Sequence, residues 1–301
     1  MDKTKEIIQY FRDTNEIYRK KKLNNFFGWQ KNCFLPYRCE EKTYLFFSEP
    51  NKFFGDDYNF VLDYLNDPNK IIIYDRTDNW TGHKIIGEKY KILEDVLLKE
   101  ANVIICSSKW LYNQTKKEAE KAKVFYVPNG NDHFGYINKE KEKIAIYGGA
   151  KMNKVNLDSF IELASNNKDW KIKIYCNDFI DFSDKNEFFI LDNLSLNSAV
   201  TNDKFFEECC KAKVGLCLLN EDDWTAGMLP NKVFLYSMAK IPCVFSGVPD
   251  ENLEDYDFCI KYSKDLNLNE IADKKYNFIH RDWNNVCKEI SDILEREILC
   301  N

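Results

Sequence analysis

Short runs of β-branched and aromatic residues alternate along this chain with longer stretches of helical periodicity. Strands separated by helices indicate βαβ units, and such units build mostly parallel sheets. The predicted strands are 43–47, 70–74, 102–107, 123–127, 143–147, 171–176, 187–191, 214–219, 242–245 and 258–262. The predicted helices lie near 57–66, 88–100, 109–121, 155–167, 200–212, 231–239 and 283–299. The predicted fold class is therefore α/β.

The strand series has a natural break near residue 138. After the strand that ends at Val127, the chain reads PNGND and then enters a charged stretch over 138–143. Strand, glycine turn and helix then begin again at Ile144, so the pattern predicts two Rossmann-like domains. We place them at residues 1–138 and 139–301, with their mostly parallel sheets facing across a cleft.

Composition excludes several classes of protein. Hydrophobic residues make up 44% of the chain, enough for a real core, which argues against intrinsic disorder. The sequence has neither an uncharged apolar stretch of transmembrane length nor a recognisable secretory signal. The eleven cysteines lie largely in apolar runs without a CxxC motif, which favours a reduced, cytoplasmic protein. A net charge of −6 makes a nucleic-acid partner an unfavoured prediction.

Two segments of the second domain suit a diphosphate. Gly148 and Gly149 end a predicted strand, and Lys151 and Lys154 follow before the next helix, where an anion would approach the backbone. A second predicted helix start, at Leu229, would offer free N–H groups to an anion, and it includes three further candidates. These three are Pro230, Asn231 and Lys232.

Three further residues are candidate donor contacts. Asn193 and Leu194 follow the predicted strand 187–191, where backbone groups could meet a nucleobase. Asp223 lies in an acidic loop with Trp224, and the alternative interpretation is an exposed loop without a ligand. No metal ligand is predicted from the three histidines, since their spacing is not that of a metal site.

The candidate acceptor chemistry lies after the strand 70–74. Asp78 could serve as the general base that deprotonates an acceptor hydroxyl, and His83 titrates in the range that suits proton transfer. The alternative is structural: Asp78 could cap a turn or pair with Arg76.

The segment PNKVFLYSMAKIPCV, which begins at Pro230, resembles the P-x-K-x-x-E-Y-x-A-x-G-x-P-V segment of GT-B glycosyltransferases. The turn VPNGND at Val127 resembles their V-P-N-G-V-D turn. The segment YDRTDNW at Tyr74 is similar to the Y-D-x-x-D-D-W of family-4-like bacterial polysaccharide-biosynthesis enzymes of the teichuronic-acid type. A fourth pattern, from Glu94 to Leu111, is similar to theirs in spacing.

This resemblance implies a metal-independent sugar transfer from a nucleotide-diphosphate donor to a hydroxyl acceptor. The expected acceptor is a carbohydrate, either a glycan or a lipid-linked glycan, and another hydroxyl acceptor is the alternative. It implies a donor-binding second domain, an acceptor-binding first domain, and a helix 283–299 that returns to the first domain. The family's donor-site glutamate is replaced by Leu235, and its companion eight residues earlier by Gly227. Retention of configuration, which the family implies, therefore stays open.

Several alternatives remain at the level of sequence. A nucleotide-sugar epimerase shares the architecture, a DNA-base glycosyltransferase shares the chemistry, and a non-catalytic nucleotide-sugar-binding protein needs neither glutamate. Asp255-Tyr256-Asp257 is the one Asp-x-Asp triplet, and the alternative to metal-independent transfer would use it to hold a divalent cation. Residues 1–22 contain apolar and basic positions that could form a helix peripheral to a membrane, or one packed on the fold.

Overall fold

The computed structural model of the chain describes residues 34–39, 42–47, 65–82, 87–132, 134–135, 137–149, 154–176 and 191–299. His83, Lys151 and the predicted helix in residues 1–22 lie outside the described residues. Of the predicted strand 187–191, only Leu191 is described, and most of the predicted helix 57–66 is outside as well.

The chain divides into two compact units. The first contains the described residues up to Asn129, together with Ala226–Met228 and the segment that begins at Trp283. The second contains Gly130–Thr225 and Leu229–Asp282. The first boundary thus lies after Asn129, whereas the sequence suggested residue 138, and the C-terminal helix belongs to the first unit.

The sheet of the first unit has the strand order β1-β2-β3-β4-β5. Its strands are β1 (Phe34–Cys39), β2 (Lys42–Phe47), β3 (Lys70–Arg76), β4 (Val103–Cys106) and β5 (Lys123–Tyr126). The β1–β2 pair is antiparallel, and the other neighbouring pairs of these strands are parallel.

Helices cover both faces of this sheet. A 3₁₀ turn (Trp80–Gly82) precedes the helices α1 (Gly87–Glu100) and α2 (Lys109–Glu118), which pack on one face through Leu93, Leu97 and Leu111. The C-terminal helix α8 (Trp283–Leu294) packs on the other face and continues into a π-helical turn (Glu295–Leu299). The buried apolar residues of α8 recur at the spacing of one helical stripe, so its amphipathic pattern is satisfied within the first unit. They are Val286, Ile290, Ile293 and Leu294.

The sheet of the second unit has the strand order β11-β10-β9-β6-β7-β8. Its strands are β6 (Ile144–Gly149), β7 (Lys171–Cys176), β8 (Leu194–Ser198), β9 (Val214–Leu218), β10 (Cys243–Ser246) and β11 (Cys259–Lys261). All neighbouring pairs of these strands are parallel. Parallel strands with both faces covered are expected to be apolar throughout, and every residue of β9 is buried.

The helices of the second unit alternate with its strands. They are α3 (Leu157–Asn166), α4 (Asn202–Lys211), α5 (Asp223–Ala226), α6 (Lys232–Met238) and α7 (Leu268–Ala272). Tyr236 of α6 lies over Gly215, and its hydroxyl is within hydrogen-bond distance of two strand carbonyl oxygens, those of Ile146 and Leu216. The ring thus fills the space that a side chain at position 215 would need.

The predicted α/β class with two mostly parallel sheets is confirmed. The strand β1 was not predicted, because FLPYRC contains a proline and an arginine and gives a poor strand pattern. None of the described helices is long and apolar enough to cross a membrane.

A buried ion pair lies between β3 and the helices α1 and α2. Arg76 Nε is 2.7 Å from Glu94 Oε1, and the two side chains are 4% and 1% exposed. The guanidinium also donates to Thr115 Oγ1 at 2.8 Å and lies 2.9 Å from Glu118 Oε2. Arg76 thus pairs with these glutamates, while Asp78 lies on the bend that follows the strand.

We expect Arg76→Leu to lower the free energy of unfolding by about 3–5 kcal/mol, because it leaves the Glu94 carboxylate buried without its cation. The double variant Arg76→Leu/Glu94→Leu should recover most of this loss, since it removes both charges together. Urea unfolding at pH 7 measures both. Lys121→Leu, which breaks the exposed Lys121–Glu100 pair, is the control and should cost less than about 1 kcal/mol. A single Arg76→Leu variant as stable as the parent would contradict this account.

Candidate functional site

The strand order of the second unit locates its crevice. From β6 the chain moves outward to β7 and β8, and it then crosses back to β9 on the other side of β6. The carboxyl ends of β6 and β9 therefore form a topological switch point, where open parallel sheets bind their ligands. Gly148 and Gly149 are the last residues of β6, so this predicted pair lies at the switch point.

Backbone hydrogen bonds join the loops that follow β6 and β9. Asn220 N donates to Lys154 O at 2.8 Å, and Asn156 N donates to Leu218 O at 3.0 Å. Val155 and Leu219 form an isolated β-bridge, and the Asn220 amide donates to Val155 O at 3.2 Å. Lys154 is therefore fixed beside the end of β9 although it follows β6 in sequence.

Lys232 places an ammonium group at this edge. Its Nζ lies 4.5 Å from the centroid of the Tyr147 ring, and among the described residues no carboxylate pairs with it. Burial by itself lowers the pKa of Lys232, but the neighbouring Tyr147 and Cys217 raise it by more, so the pKa lies above its ordinary value. Burial raises the pKa of Tyr147, and that of Cys217 to about 12. At neutral pH the group is therefore a cation beside two neutral side chains.

Lys154 is held in a similar way by a second aromatic ring. Its Nζ lies 3.1 Å from the centroid of the Trp224 ring, on the short helix α5 that follows β9. A cation over an aromatic face is stabilised by the ring quadrupole, and its charge is retained. Two of the three predicted lysines are thus placed at the carboxyl edge of the sheet, and the third, Lys151, is outside the described residues.

The two glycines at the end of β6 are explained by packing within the unit. A β-carbon at Gly148 would overlap the Phe205 ring of α4, and one at Gly149 would overlap the Tyr147 hydroxyl. The sequence suggested that both positions are glycine so that a ligand can approach the backbone closely. The structure shows that packing against Phe205 and Tyr147 requires a glycine at each position.

The second predicted helix start differs from the expectation. The helix α6 begins at Lys232, three residues after Leu229, and Pro230 and Asn231 form the turn before it. Val233 N donates to Pro230 O at 3.0 Å and Phe234 N to Asn231 O at 3.1 Å. The expectation of free N–H groups at this start is therefore wrong for these two donors, and the positive charge available there is that of Lys232.

Two predicted donor contacts lie at the opposite edge of the sheet. Leu194 is the first residue of β8, so Asn193 and Leu194 lie at the amino end of a strand, where the sequence placed them beyond a carboxyl end. Asn193 Nδ2 is within 3.0–3.2 Å of the carbonyl oxygens of Ala164, Asn167 and Trp170, which is a structural role. The error arises because LSLNS, with its polar alternation, forms the strand.

The structure also locates two other predicted residues, Asp223 and Asn231. Asp223 is the exposed first residue of α5, and Asp222 accepts a hydrogen bond from Thr225 N at 2.8 Å. Asn231 O accepts a hydrogen bond from Asn131 Nδ2 at 2.9 Å, so the turn before Lys232 is tied to the segment that follows Asn129. Sequence reasoning missed Asn131.

The candidate acceptor residues lie in the first unit. Asp78 is half-buried on the bend after β3, and Asn79 and Trp80 behind it are buried. Ser107 fixes the chain just before Asp78, since its N–H donates to Arg76 O at 3.2 Å and its hydroxyl to Thr77 O at 2.7 Å. A carboxylate on a loop held in this way has a defined position, which a general base needs.

The two positions that lack the family's glutamates are occupied tightly. A β-carbon at Gly227 would lie 2.6 Å from the backbone nitrogen of Asn79, so the segment Ala226–Met228 packs on the Asp78 loop without room for a side chain. Leu235 is buried within α6. Packing thus favours a glycine at position 227 and an apolar residue at position 235.

Comparison with solved structures identifies the architecture. Sucrose-phosphate synthase from Thermosynechococcus elongatus superposes with a TM-score of 0.60 at 10% identity, over 85% of this chain and 74% of that one. Anabaena HepE in complex with UDP-glucose gives 0.53 at 10% identity, over 75% and 72%. TarM gives 0.51 at 15% identity, over 82% of this chain and 48% of that one.

The chain has the GT-B glycosyltransferase fold. It spans about half the length of the first structures that it matches, which are S. aureus TarM at 49% and the GtfA/B complex at 53%. No protein-family model matches the chain, and no curated protein matches it either. At these low identities the GT-B likeness establishes the fold, and the residues described above must carry any functional argument.

The structure adds Tyr147 and Trp224 to the residues at the carboxyl edge of the second sheet. The signal for Tyr147 was available in the sequence, because a residue two positions before Gly149 lies on the same face of the strand. The signal for Trp224 was not, because its contact with Lys154 joins loops of different strands. Among the described residues, no three His, Cys, Asp or Glu side chains are grouped so as to hold a metal.

Proposed function

We propose that this chain is a glycosyltransferase that moves a sugar, a hexose or a related one, from a nucleoside-diphosphate donor to a hydroxyl acceptor. The observation that carries the proposal is the Lys232 ammonium, which lies at the switch point of a GT-B fold without a carboxylate partner among the described residues. A partly buried cation in that position is suited to an anionic ligand.

The proposed donor site lies in the second unit. Lys232 and Lys154 would contact the diphosphate, and Lys151 remains a candidate outside the described residues. In the transfer, the bond between the sugar anomeric carbon and the phosphate oxygen breaks, and the diphosphate leaves with the electron pair. Fixed positive charge at the leaving oxygens stabilises this step, and such electrostatic stabilisation is usually the largest catalytic contribution.

The proposed acceptor chemistry belongs to the first unit. The acceptor hydroxyl oxygen forms the new bond to the anomeric carbon, and its proton passes to the Asp78 carboxylate. His83 remains the second candidate for this proton. Fold neighbours support a sugar-nucleotide donor and a carbohydrate acceptor, since Anabaena HepE was solved with UDP-glucose and S. aureus TarM with UDP and alpha-GlcNAc-glycerol.

The donor-site prediction concerns Lys232→Ala. In thermal-shift titrations with UDP, GDP and ADP, the parent chain should be stabilised by at least one nucleotide, and Lys232→Ala should lose most of that stabilisation. In turnover, the variant should lose about 10²–10³-fold in kcat/KM, the scale for one electrostatic stabiliser.

The matched control is Lys143→Ala. Lys143 lies before the amino end of the same strand, β6, and pairs with Asp169 at 2.6 Å. It should behave as the parent chain does. Equal effects of the two substitutions, or full nucleotide binding by Lys232→Ala, would remove Lys232 from the site.

The acceptor-side prediction concerns Asp78→Asn, which keeps the shape of the side chain and removes its basic oxygen. We expect kcat to fall by about 10²–10⁴-fold, the usual value of general-base assistance, while nucleotide affinity stays within about threefold. Steady-state kinetics and nucleotide titration measure the two quantities. Asp95→Asn, an exposed substitution on α1, is the control. An unchanged rate in Asp78→Asn would make His83 the residue to test.

The proposed transfer needs no metal ion, because lysine side chains supply the positive charge. Activity should therefore survive incubation with excess EDTA and should not rise on addition of Mn²⁺ or Mg²⁺. Loss of activity in EDTA that Mn²⁺ restores would contradict this prediction. The Asp255-Tyr256-Asp257 triplet would then be the first place to look, although Asp257 already accepts hydrogen bonds from the Asn277 N–H and amide.

A further inference from the structure

Both lysines of the proposed donor site lie on aromatic rings. The Lys232 ammonium is 4.5 Å from the centroid of Tyr147, and the Lys154 ammonium is 3.1 Å from that of Trp224. The two rings come from different elements, the strand β6 and the short helix α5, and both lie at the carboxyl edge of the sheet. The same contact, a lysine ammonium over an aromatic ring, thus occurs twice at the carboxyl edge of the second sheet.

An aromatic support differs from a carboxylate in what it leaves for a ligand. A carboxylate partner cancels the charge of a lysine and takes up its N–H donors, whereas a ring attracts the cation through its quadrupole. Among the described residues no carboxylate pairs with Lys232, so its ammonium keeps its charge and has donors directed away from the ring. The ring also restricts a long side chain that otherwise has considerable rotamer freedom.

The position of the Tyr147 ring is itself fixed by packing. Tyr147 is 2% exposed and makes an edge contact with Phe160 of α3, with centroids 5.6 Å apart. Its hydroxyl occupies the space that a β-carbon at Gly149 would need. The ring is therefore held by the strand, the helix and the glycine before any ligand arrives.

We propose that Tyr147 and Trp224 are positioning residues that hold the Lys232 and Lys154 ammonium groups in place for the donor diphosphate. This inference rests on the function proposed above, and it adds two residues whose task is to orient the cations. Neither ring needs to contact the phosphates. Each acts through its lysine.

The test compares ring removal with ring conservation. Calorimetric titration with UDP, GDP and ADP first selects the nucleotide that the parent chain binds most tightly. Tyr147→Leu and Trp224→Leu should each raise the Kd for that nucleotide about tenfold, whereas Tyr147→Phe and Trp224→Phe should stay within about threefold. Tyr175→Leu is the matched control. Tyr175 lies on the neighbouring strand β7, opposite Gly148 of β6, and like Tyr147 it makes an edge contact with a phenylalanine, Phe205.

The pH profile separates the ring of Tyr147 from its hydroxyl. The groups that face Lys232 are Tyr147 on β6, Cys217 on β9 and Cys243 on β10, and their net effect keeps the pKa of Lys232 above its ordinary value. Tyr147 acts on this pKa through its hydroxyl, which Tyr147→Leu and Tyr147→Phe both remove, so the two variants should lose nucleotide affinity over the same range of rising pH. Their expected difference in Kd at neutral pH then comes from the ring, which only Tyr147→Phe keeps.

The outcomes distinguish the failure of this proposal from the failure of the proposed glycosyltransferase function on which it rests. If the parent chain binds none of the nucleotides, the proposed function fails. If the parent chain binds and Lys232→Ala does not, but Tyr147→Leu and Trp224→Leu bind like the parent, the function stands and the positioning role is wrong. If the leucine variants are weakened and the phenylalanine variants are weakened equally, the hydroxyl and indole N–H matter instead of the ring faces, which also overturns the proposal. Thermal unfolding without nucleotide identifies any variant that has lost its fold, and if one leucine variant has done so, the leucine variant at the other ring decides.

Discussion

The parallel pairing of β6 with β9 determines where the chemistry of the second unit can lie. Because the chain leaves β6 on one side and returns on the other, two loops diverge at the carboxyl ends of neighbouring strands. Hydrogen bonds between Asn220 and Lys154 and between Asn156 and Leu218 then fix these loops to each other. Lys154 and Trp224 are neighbours as a result, although they are distant in sequence.

The two units treat a partly buried cation in opposite ways. In the first, the Arg76 guanidinium is neutralised by Glu94 and is further bonded by Thr115, so it supports the fold. In the second, the Lys232 ammonium lies on a ring beside groups that are neutral at physiological pH. A charge that its surroundings stabilise but do not cancel is available to a ligand, and this contrast is the physical basis for placing the donor in the second unit.

Sequence periodicity was sufficient for the fold class and for most of the described elements. Strands with continuous apolar runs, such as β9, and helices with a clear stripe, such as α8, were predicted to within a few residues. The strand β8 was not predicted, because edge-strand segments carry polar residues and resemble loops. The lysines were predicted from local pattern, whereas their aromatic supports depend on contacts between loops that no local pattern encodes. The satisfied N–H groups at the start of α6 likewise depend on turn geometry around Pro230.

The chain passes between the two units at four places, after Asn129, Thr225, Met228 and Asp282. Three residues, Ala226–Met228, belong to the first unit although the second unit surrounds them in sequence, and Gly227 fits there because it has no side chain. The first unit also takes α8 from the far end of the chain to cover one face of its sheet. Neither unit is therefore a continuous, exchangeable module. A recombination event at the single junction after Asn129 would transfer the second unit together with α8 and would leave one face of the first sheet uncovered, so the two units are constrained to be inherited together.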